Sequence, residues 1–386
     1  MRMNIYYSFL FIFLLFMNSN IIAQTSSDAS ATGISRGFNP AISVNALFGG
    51  MGSDKNKILW EESGTETGLH CQAVDVEITS NVDVYLQSKV VFGGSESEGV
   101  EVEEAYLTSL RMPIPVTLRF GKMLSSFGRY NLFHLHHMAF AENPLILYQA
   151  FGPKLNEVGL EASYLLPLPW YSEILVGILN GNNEFLFNSD KHKDFAYLAH
   201  FDNFWDLTDQ TTLRMGGSFL NGAKGLRNSQ EVPFDSTISN TTSRTWGLDF
   251  HLKWKPTQFG RYRSMILEGE YVNTTLNIDG KISNPLHGFY AQSLYQFGLR
   301  WWLQGRYEWF NRAKELHNYF LTPSEMEFDN LEDFSGKRMS IALAYVPTEF
   351  SAYRLQFNRI DIAGKIEHQA VVQVNVTIGS HPAHKY

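Results

Sequence analysis

The sequence predicts an all-β protein, a single transmembrane antiparallel β-barrel of about sixteen strands with an inserted constriction loop. The first observation behind this prediction is a strict alternation between Thr245 and Trp254, where every second residue is apolar. Successive side chains of a strand point to opposite faces, so this segment has one apolar face and one polar face. Trp246 and Trp254 stand near its two ends, at the spacing of aromatic anchors in two bilayer interfaces.

An amino-terminal secretory leader is the second observation. Arg2 precedes an almost unbroken apolar run at 5–16, and a cleavage site follows Ala23, so residues 1–23 are predicted to be a signal peptide. A single-pass anchor is the alternative, but this run is shorter than the about 20 residues that a spanning helix needs. No later apolar run is longer. The mature chain is therefore expected to cross a membrane as a closed barrel, which pairs every backbone polar group.

Composition agrees with a barrel and excludes other classes. Hydrophobic residues make up 44% of the 386, too few for a helical membrane protein, whereas the 14% of aromatic residues fits two aromatic girdles. The net charge of -8 argues against a nucleic-acid partner, which needs a basic surface. Cys71 is the single cysteine, so an intrachain disulfide is excluded although a secreted chain meets an oxidising compartment.

Sixteen strands are predicted from alternating segments that end at turn-forming residues. They lie near 41–49, 72–79, 82–92, 101–110, 115–122, 157–166, 172–180, 195–202, 211–220, 244–254, 263–273, 288–298, 301–310, 337–346, 352–360 and 366–378. The even number depends on a turn at Ser80 and Asn81, and one bent strand over 74–92 is the alternative. An even count places both ends of the barrel, residues 40–386, in the periplasm, after a short periplasmic lead at 24–39.

The connections between these strands alternate in length. Long polar connections are predicted at 50–71, 123–156, 181–194, 222–243, 274–287 and 311–336, and short ones at 111–114, 167–171, 203–210, 256–262 and 347–351. Long extracellular loops and short periplasmic turns are typical of bacterial outer-membrane barrels. The chain is therefore predicted to lie in the outer membrane of a Gram-negative cell. Its expected partners are the lipid bilayer and the barrel-assembly machinery, which reads a terminal aromatic such as Tyr386.

Each predicted strand has one row of side chains for lipid and one for the lumen. The apolar rows include Val116, Leu118, Phe120, Trp301, Leu303, Tyr307, Trp309, Met339, Ile341, Leu343, Tyr345, Ala370, Val372, Val374, Val376 and Ile378. The polar rows carry Arg119, Arg214, Arg300, Arg306, Arg354, Lys89 and Lys253, and Asp75, Glu77, Asp83, Glu101, Glu103, Glu161, Asp249, Glu268, Glu270, Glu308 and Glu367. About sixteen strands enclose a water-filled lumen, so a channel is expected. The excess of acids indicates a weak cation preference, although charges of both signs are also what any hydrated wall needs.

The connection 123–156 is too long and too apolar for an ordinary surface loop. We expect it to fold into the lumen and to narrow the pore, with a short helix over 132–140 that Asn131 caps and Pro144 ends. The predicted constriction consists of Arg129, His134, His136, His137 and Glu142, with Arg119 on the adjacent wall.

His134, His136 and Glu142 are also candidate ligands of a zinc ion, because imidazole nitrogens and carboxylates both bind zinc. In an extended segment His134 and His136 share a face, whereas in a helix His134 and His137 do. Histidines that line the pore and form hydrogen bonds without a metal are the alternative.

Two further histidines, His381 and His384, lie at the carboxyl terminus. They are candidate metal ligands at the periplasmic mouth of the barrel. A solvated strand end without a metal is the alternative. Apart from zinc, no cofactor is expected.

Two stretches of the chain are similar to known families. GVEVEEAYLTSL followed by VTLRFGKMLSSFGRYN is similar to the strand, strand and inserted-loop passage of the phosphate-selective porin-like superfamily of Gram-negative outer membranes. FGRYNLFHLHHMAFAENPLILYQAFG, GLEASYLLPLPWYSE and the closing GSHPAHKY resemble a family labelled zinc-regulated outer-membrane receptors. This resemblance extends over residues 37–386.

The resemblance implies a porin-like barrel that is induced under zinc limitation. The histidines and the acid that match the family pattern are His134, His136, His381, His384 and Glu142. A homotrimer is expected from the same likeness. Phosphate selectivity is not expected, because the inserted connection carries only Arg129 and Lys154 as arginine and lysine residues.

The predicted function is passive diffusion of small polar solutes or ions, with a link to the uptake of zinc or another divalent metal. An outer-membrane receptor or adhesive barrel that acts through extracellular loops such as 222–243 and 311–336 is the first alternative. An outer-membrane hydrolase is the second, but no serine lies in a nucleophile motif, and neither His200 nor His251 has an evident nucleophile. We therefore expect a protein that is not an enzyme. A soluble β-sandwich or propeller is the alternative fold.

Overall fold

A computed structural model of the chain describes residues 40–56, 58–60, 67–96, 99–187, 194–224, 241–278, 280–313 and 334–379. The predicted signal peptide and periplasmic lead lie outside these residues, and so do His381 and His384. The described chain forms β1 (Ala41–Ser53), β2 (Gly68–Asn81), β3 (Leu86–Ser95), β4 (Gly99–Ser109), β5 (Val116–Leu124), β6 (Asn156–Leu165), β7 (Tyr171–Leu179), β8 (Ala196–Thr208), β9 (Thr211–Ala223), β10 (Thr241–Trp254), β11 (Arg263–Ile278), β12 (Lys281–Phe297), β13 (Trp301–Arg312), β14 (Phe334–Thr348), β15 (Ser351–Ile362) and β16 (Lys365–Gly379).

These sixteen strands form one closed antiparallel barrel. Each strand pairs with its neighbours in sequence, and β1 pairs with β16 through partners such as Ala46 and Val376. The closed antiparallel barrel predicted from the sequence is confirmed. The predicted split into two strands is also confirmed, but the turn lies at 82–85 and not at Ser80 and Asn81, which still pair with β3. The Asp83 carboxylate accepts the backbone N–H groups of Tyr85 and Leu86 in this turn.

The barrel has an apolar exterior and a polar interior. On β10, Leu248 is 58% exposed on the outside, whereas the next residue, Asp249, is 4% exposed on the inside. Ile341 and Val372 are likewise turned outward, as predicted. A closed barrel with this exterior lies in the outer membrane of Gram-negative bacteria. No helix of the described part of the chain is long and apolar enough to cross a membrane.

The long connection predicted at 274–287 is wrong. Instead, β11 and β12 continue through most of it and pair down to Ile278 and Lys281. Gly280 lies in the turn between them with φ 86°, a conformation that glycine adopts freely. The misleading signal was polarity on both faces of the strand: Thr274 is buried on its inner face, whereas Thr275 and Asn277 are half-buried on its outer face.

The chain between β5 and β6, residues 125–155 (the inserted segment), lies inside the barrel. Its backbone N–H groups donate to inner-face side chains from opposite parts of the wall, for example Ser126 N–H to Glu161 of β6 and Leu145 N–H to Glu308 of β13. Within the inserted segment, Pro153 is the one exposed residue. The inserted segment is therefore packed like a protein core rather than like a surface loop.

A short helix predicted at 132–140 is wrong. That stretch holds two 3-10 turns, Tyr130–Leu132 and Leu135–His137, and the helix α1 (Leu145–Phe151) follows Pro144 instead of ending before it. The barrel wall donates hydrogen bonds to carbonyl groups that would be used within a helix; for example, Arg354 donates to the Met138 carbonyl. Asn131 is not a helix cap, since its side chain bridges the backbones of Ser125 and Leu155.

α1 forms an apolar core inside the half of the barrel where the long connections lie. Leu145, Ile146 and Phe151 are buried there, and their neighbours in the core include Phe127, Leu179, Phe187, Leu276, Leu286, Phe310 and Ile362. Leu276 and Leu286 flank the turn at Gly280, which places this core near one mouth of the barrel. The inner surface is thus polar in one half and largely apolar in the other.

Candidate functional site

Three histidines of the inserted segment lie side by side against β2, β3 and β4. The rings of His134 and His136 are nearly parallel, with an interplanar angle of 12° and centroids 5.7 Å apart. The ring of His137 lies 4.0 Å from that of His136. The rings of His134 and His136 thus face each other, as predicted for an extended segment, although this stretch is a 3-10 turn and not extended.

His134 lies between two carboxylates. Its Nδ1 atom is 3.1 Å from Glu103 Oε2, and its Nε2 atom is 3.0 Å from Glu104 Oε2. Burial alone lowers the pKa of this imidazole, but the hydrogen bonds to Glu103 and Glu104 outweigh it and raise the pKa of His134 to about 9.

A β-bulge explains why two consecutive glutamates face the same histidine. Val91 pairs with Glu104 and Phe92 pairs with Val102, so Glu103 is the extra residue in the β3–β4 ladder. A bulge re-aims a side chain that regular alternation would send to the other face. Room for the Glu103 carboxylate comes from Gly93, where a Cβ atom would collide with it.

His136 joins the same cluster of side chains through contacts with β2 and β16. Its Nδ1 atom lies 3.0 Å from Oδ2 of Asp75 on β2, and its carbonyl accepts from the Asn375 amide. One ligand atom from each of Asp75, Glu103 and His134 lies within 4.8 Å of the other two. We call the set Asp75, Glu103, Glu104, His134 and His136 the histidine contact.

Glu142 lies in a different cluster from the histidines. Its carboxylate accepts from the amide nitrogens of Gln356 and Asn358, at 2.8 Å and 3.0 Å. It also lies 3.6 Å from a guanidinium nitrogen of Arg338 and 3.9 Å from one of Arg306. The positive charges of these two arginines already compensate the Glu142 carboxylate, so it does not need a metal ion for that purpose. The zinc ligand set predicted as His134, His136 and Glu142 is therefore not brought together around one point.

Behind Glu142 is a buried chain of charges. Glu308 Oε1 is 2.5 Å from Arg306 Nε and 2.9 Å from Arg338 Nε, and these side chains are completely buried. The two arginines also donate to the carbonyls of Glu142 and Asn143, while Glu308 accepts the N–H of Leu145. We call Glu142, Arg306, Glu308 and Arg338 the arginine contact. It fixes the turn that leads into α1.

The remaining predicted constriction residues lie where the inserted segment begins. Arg129 Nε is 3.4 Å from Glu268 Oε2, and its guanidinium stacks over Phe133 at 4.9 Å. Arg119 of β5 donates to the Leu124 carbonyl and lies 3.4 Å from Glu161. Both arginines thus brace the start of the segment.

A cavity of about 850 Å³ lies between the inserted segment and the short-turn end of the barrel. Ala41 and Tyr171, the first residues of β1 and β7, mark its outer part. Its charged lining includes Glu77, Lys89, Arg129, His134, His137, Glu173, Asp202, Arg214, His251, Glu268 and Arg354. The lining of the cavity thus combines charges of both signs with apolar side chains such as Phe133, Met138 and Leu294.

The two histidines considered for hydrolytic chemistry lie inside the barrel. His200 Nδ1 is 2.7 Å from Ser218 Oγ, and that oxygen accepts the backbone N–H of Gly128. His251 Nδ1 is 2.9 Å from Glu268. The sequence missed the His200 and Ser218 pair because only the barrel register brings these two residues together. The serine is buried behind the inserted segment, so the pair positions Gly128.

Comparison with known proteins agrees with this geometry at the level of the fold. No family model matches the chain. An uncharacterized protein of Aquifex aeolicus (strain VF5) is 26% identical over 369 residues, which cover 89% of this chain and 75% of that protein. The resemblance to zinc-regulated outer-membrane receptors therefore stays a prediction.

Three solved structures are similar. The outer membrane channel DcaP of Acinetobacter baumannii has a TM-score of 0.54 and 12% identity, covering 88% of this chain and 96% of that one. Pseudomonas putida OprB has a TM-score of 0.56 and 9% identity, covering 88% and 94%. The trimer form of Vibrio cholerae OmpT, an outer membrane protein, has a TM-score of 0.55 and 10% identity, covering 88% and 99%. The fold of this chain is thus the sixteen-stranded barrel of outer-membrane porins.

Proposed function

We propose that this protein is an outer-membrane channel for the passive diffusion of small polar solutes or ions. The observation that carries the proposal is the cavity of about 850 Å³ in the lumen, which is lined by charges of both signs, together with the inserted segment that covers it. A sixteen-stranded barrel is too wide to be filled by its own wall side chains. Here the inserted segment fills part of the remaining space and leaves the cavity on one side of it.

The inserted segment controls passage in this proposal. Of the predicted constriction residues, Arg129, His134 and His137 line the cavity. His136 and Glu142 hold the segment to the wall instead, and so does Arg119 at its start. Because α1 packs in an apolar core beyond the cavity, hydrated solutes pass only when the segment shifts. We therefore expect brief openings rather than a steady open pore.

Planar bilayers test this function. The wild-type protein is expected to give small, infrequent conductance steps. A variant with residues 129–151 replaced by a short glycine and serine linker is expected to give larger and longer ones. Heat-denatured protein in the same detergent is the control. If neither folded form produces any step, the channel proposal fails.

Ion selectivity follows from the wall. Acidic and basic side chains both line the cavity. Along the inward-facing rows of the strands, acidic residues outnumber basic ones, so we expect the channel to have a weak preference for cations. The reversal potential in a potassium chloride gradient measures it. A clear anion preference would contradict this part of the proposal.

We also propose that three barrels assemble side by side. One structure of a similar barrel, Vibrio cholerae OmpT, is a trimer form. The outward apolar rows supply the surface for lipid and for neighbouring barrels. Mass measurement of the detergent-solubilised protein by light scattering tests this, and a single-chain mass would contradict it.

A further inference from the structure

Asp75, Glu103 and His134 converge from three separate pieces of the chain: β2, β4 and the inserted segment. One oxygen or nitrogen from each lies within 4.8 Å of the other two. We propose that these three residues bind one divalent metal ion of the zinc class, and that the ion fastens the inserted segment to the barrel wall.

The donor set suits such an ion. Zinc binds imidazole nitrogen at about 2.0–2.1 Å and carboxylate oxygen at about 2.0–2.2 Å, so two ligand atoms of a tetrahedral site lie about 3.4 Å apart. The three atoms, which lie within 4.8 Å of one another, therefore need to close by up to about 1.4 Å when the ion binds. Two carboxylates balance the charge of a divalent ion, and a water molecule takes the fourth position that three protein ligands leave.

The surroundings decide which ring nitrogen of His134 binds. Nε2 faces Glu104 at 3.0 Å, whereas Nδ1 faces Glu103. A metal-binding histidine usually donates its other N–H to a carboxylate, which fixes the tautomer. Glu104 is placed for that role, so Nδ1 is the ligand and the ion takes the place of its proton.

Asp75 has an outer partner as well. His136 Nδ1 lies 3.0 Å from its Oδ2 atom, so the ring orients the carboxylate. Two of the three proposed ligands therefore have hydrogen-bonding partners of the kind that organise metal sites. In this proposal His136 positions a ligand rather than binding the ion itself.

The backbone is shaped around the third ligand. Glu103 reaches the site only because it is the extra residue of the β3–β4 bulge, and its carboxylate occupies the space that a side chain at position 93 would fill. Bulges of this kind occur next to functional sites. The Glu103 side chain is 30% exposed, which gives an ion a route in, whereas that of His134 is 6% exposed.

Isothermal titration of the full-length detergent-solubilised protein with zinc chloride tests this site. The background carries His381→Ala and His384→Ala, because those histidines are the other predicted ligands. One ion per chain is expected to bind. Glu103→Gln and His134→Gln are expected to abolish binding, and Glu104→Gln is expected to weaken it by about 10–100-fold.

His368→Gln is the matched control, since His368 is an exposed histidine that pairs with Asp54 far from this cluster. It should bind zinc like the background protein. Circular dichroism and heat-modifiable mobility show which variants are folded. For a folded variant, Co²⁺ should give a visible absorption band that Glu103→Gln loses. Absence of zinc binding in the background protein, or undiminished binding in folded His134→Gln, overturns the proposal.

The effect of the ion on current rests on the proposed channel function, but binding does not. Zinc is expected to reduce the opening frequency of the wild-type channel and to leave that of Glu103→Gln unchanged. A protein that binds zinc but gives no current under any condition would refute the channel and keep the metal site. A protein that conducts ions but binds no zinc would refute the metal site and keep the channel.

Discussion

The histidine contact and the arginine contact hold the same segment by different chemistry. In the arginine contact, Arg306, Glu308 and Arg338 are completely buried, and together with Glu142 they form two positive and two negative groups that balance one another. In the histidine contact, carboxylates outnumber the imidazoles, and Glu103 is partly exposed. A buried, compensated cluster stays closed, whereas a partly exposed cluster of metal-binding groups can exchange its cation. For the proposed channel we therefore expect the segment to open at its histidine contact and to turn about its arginine contact.

The largest effect is expected from breaking the arginine contact. Arg338→Ala leaves Glu142 and Glu308 short of a buried partner, and we expect the free energy of unfolding to fall by about 3–5 kcal/mol. Denaturant titration followed by circular dichroism measures it. Arg359→Ala on the same wall is the control, because Arg359 is exposed. If the free energy of unfolding fell equally in the two variants, the arginine contact would not be the stable, closed anchor that the comparison requires.

Saturating zinc is expected to act at the other contact. An ion at about 100 times its dissociation constant adds roughly 2.7 kcal/mol to the stability of the state that binds it. Hydrogen exchange should slow in residues 133–138 and stay constant in α1 (Leu145–Phe151). Uniform slowing over both regions would mean that the two contacts open together.

A smaller effect is expected at Gly128, which lies where the segment leaves the wall. Its φ of 61° is in the left-handed region, and a Cβ atom there would collide with the Glu270 carboxylate. Gly128→Ala is expected to cost about 1–2 kcal/mol from the backbone alone. Thermal unfolding measures the loss, and Gly305→Ala is the control because a Cβ atom there meets only Ser293 in ordinary contact. No difference between the two variants would show that this bend is not under strain.

Most of the barrel could be predicted from the sequence because alternation is a local property. Leu248 and Asp249 are neighbours in the chain, and their opposite polarity alone fixes which of them faces lipid. The polar stretch near Thr274 failed because a strand with two hydrophilic faces near the barrel rim looks like a loop. Whether such a polar stretch forms a strand therefore depends on its place at the barrel rim and not on its composition.

The site was less predictable, because its partners lie far apart in sequence. Glu142 meets Gln356 and Asn358, more than two hundred residues later, and nothing local indicates that pairing. The histidines were recognised as unusual, but Glu103 was assigned only to the lumen wall. Its role depends on a bulge, which breaks the alternation used to read the strands.

The position of the inserted segment in the chain has a consequence for biogenesis. The segment follows β5, but residues that hold it, such as Arg338 and Gln356, belong to β14 and β15. During synthesis and insertion these two contacts therefore form only when the final hairpins arrive. An assembly intermediate that lacks those hairpins would already pack α1 on β11, β12 and β13 but would leave Ala141 and Asn143 without their partners, so the segment is fixed completely only when the last seam closes.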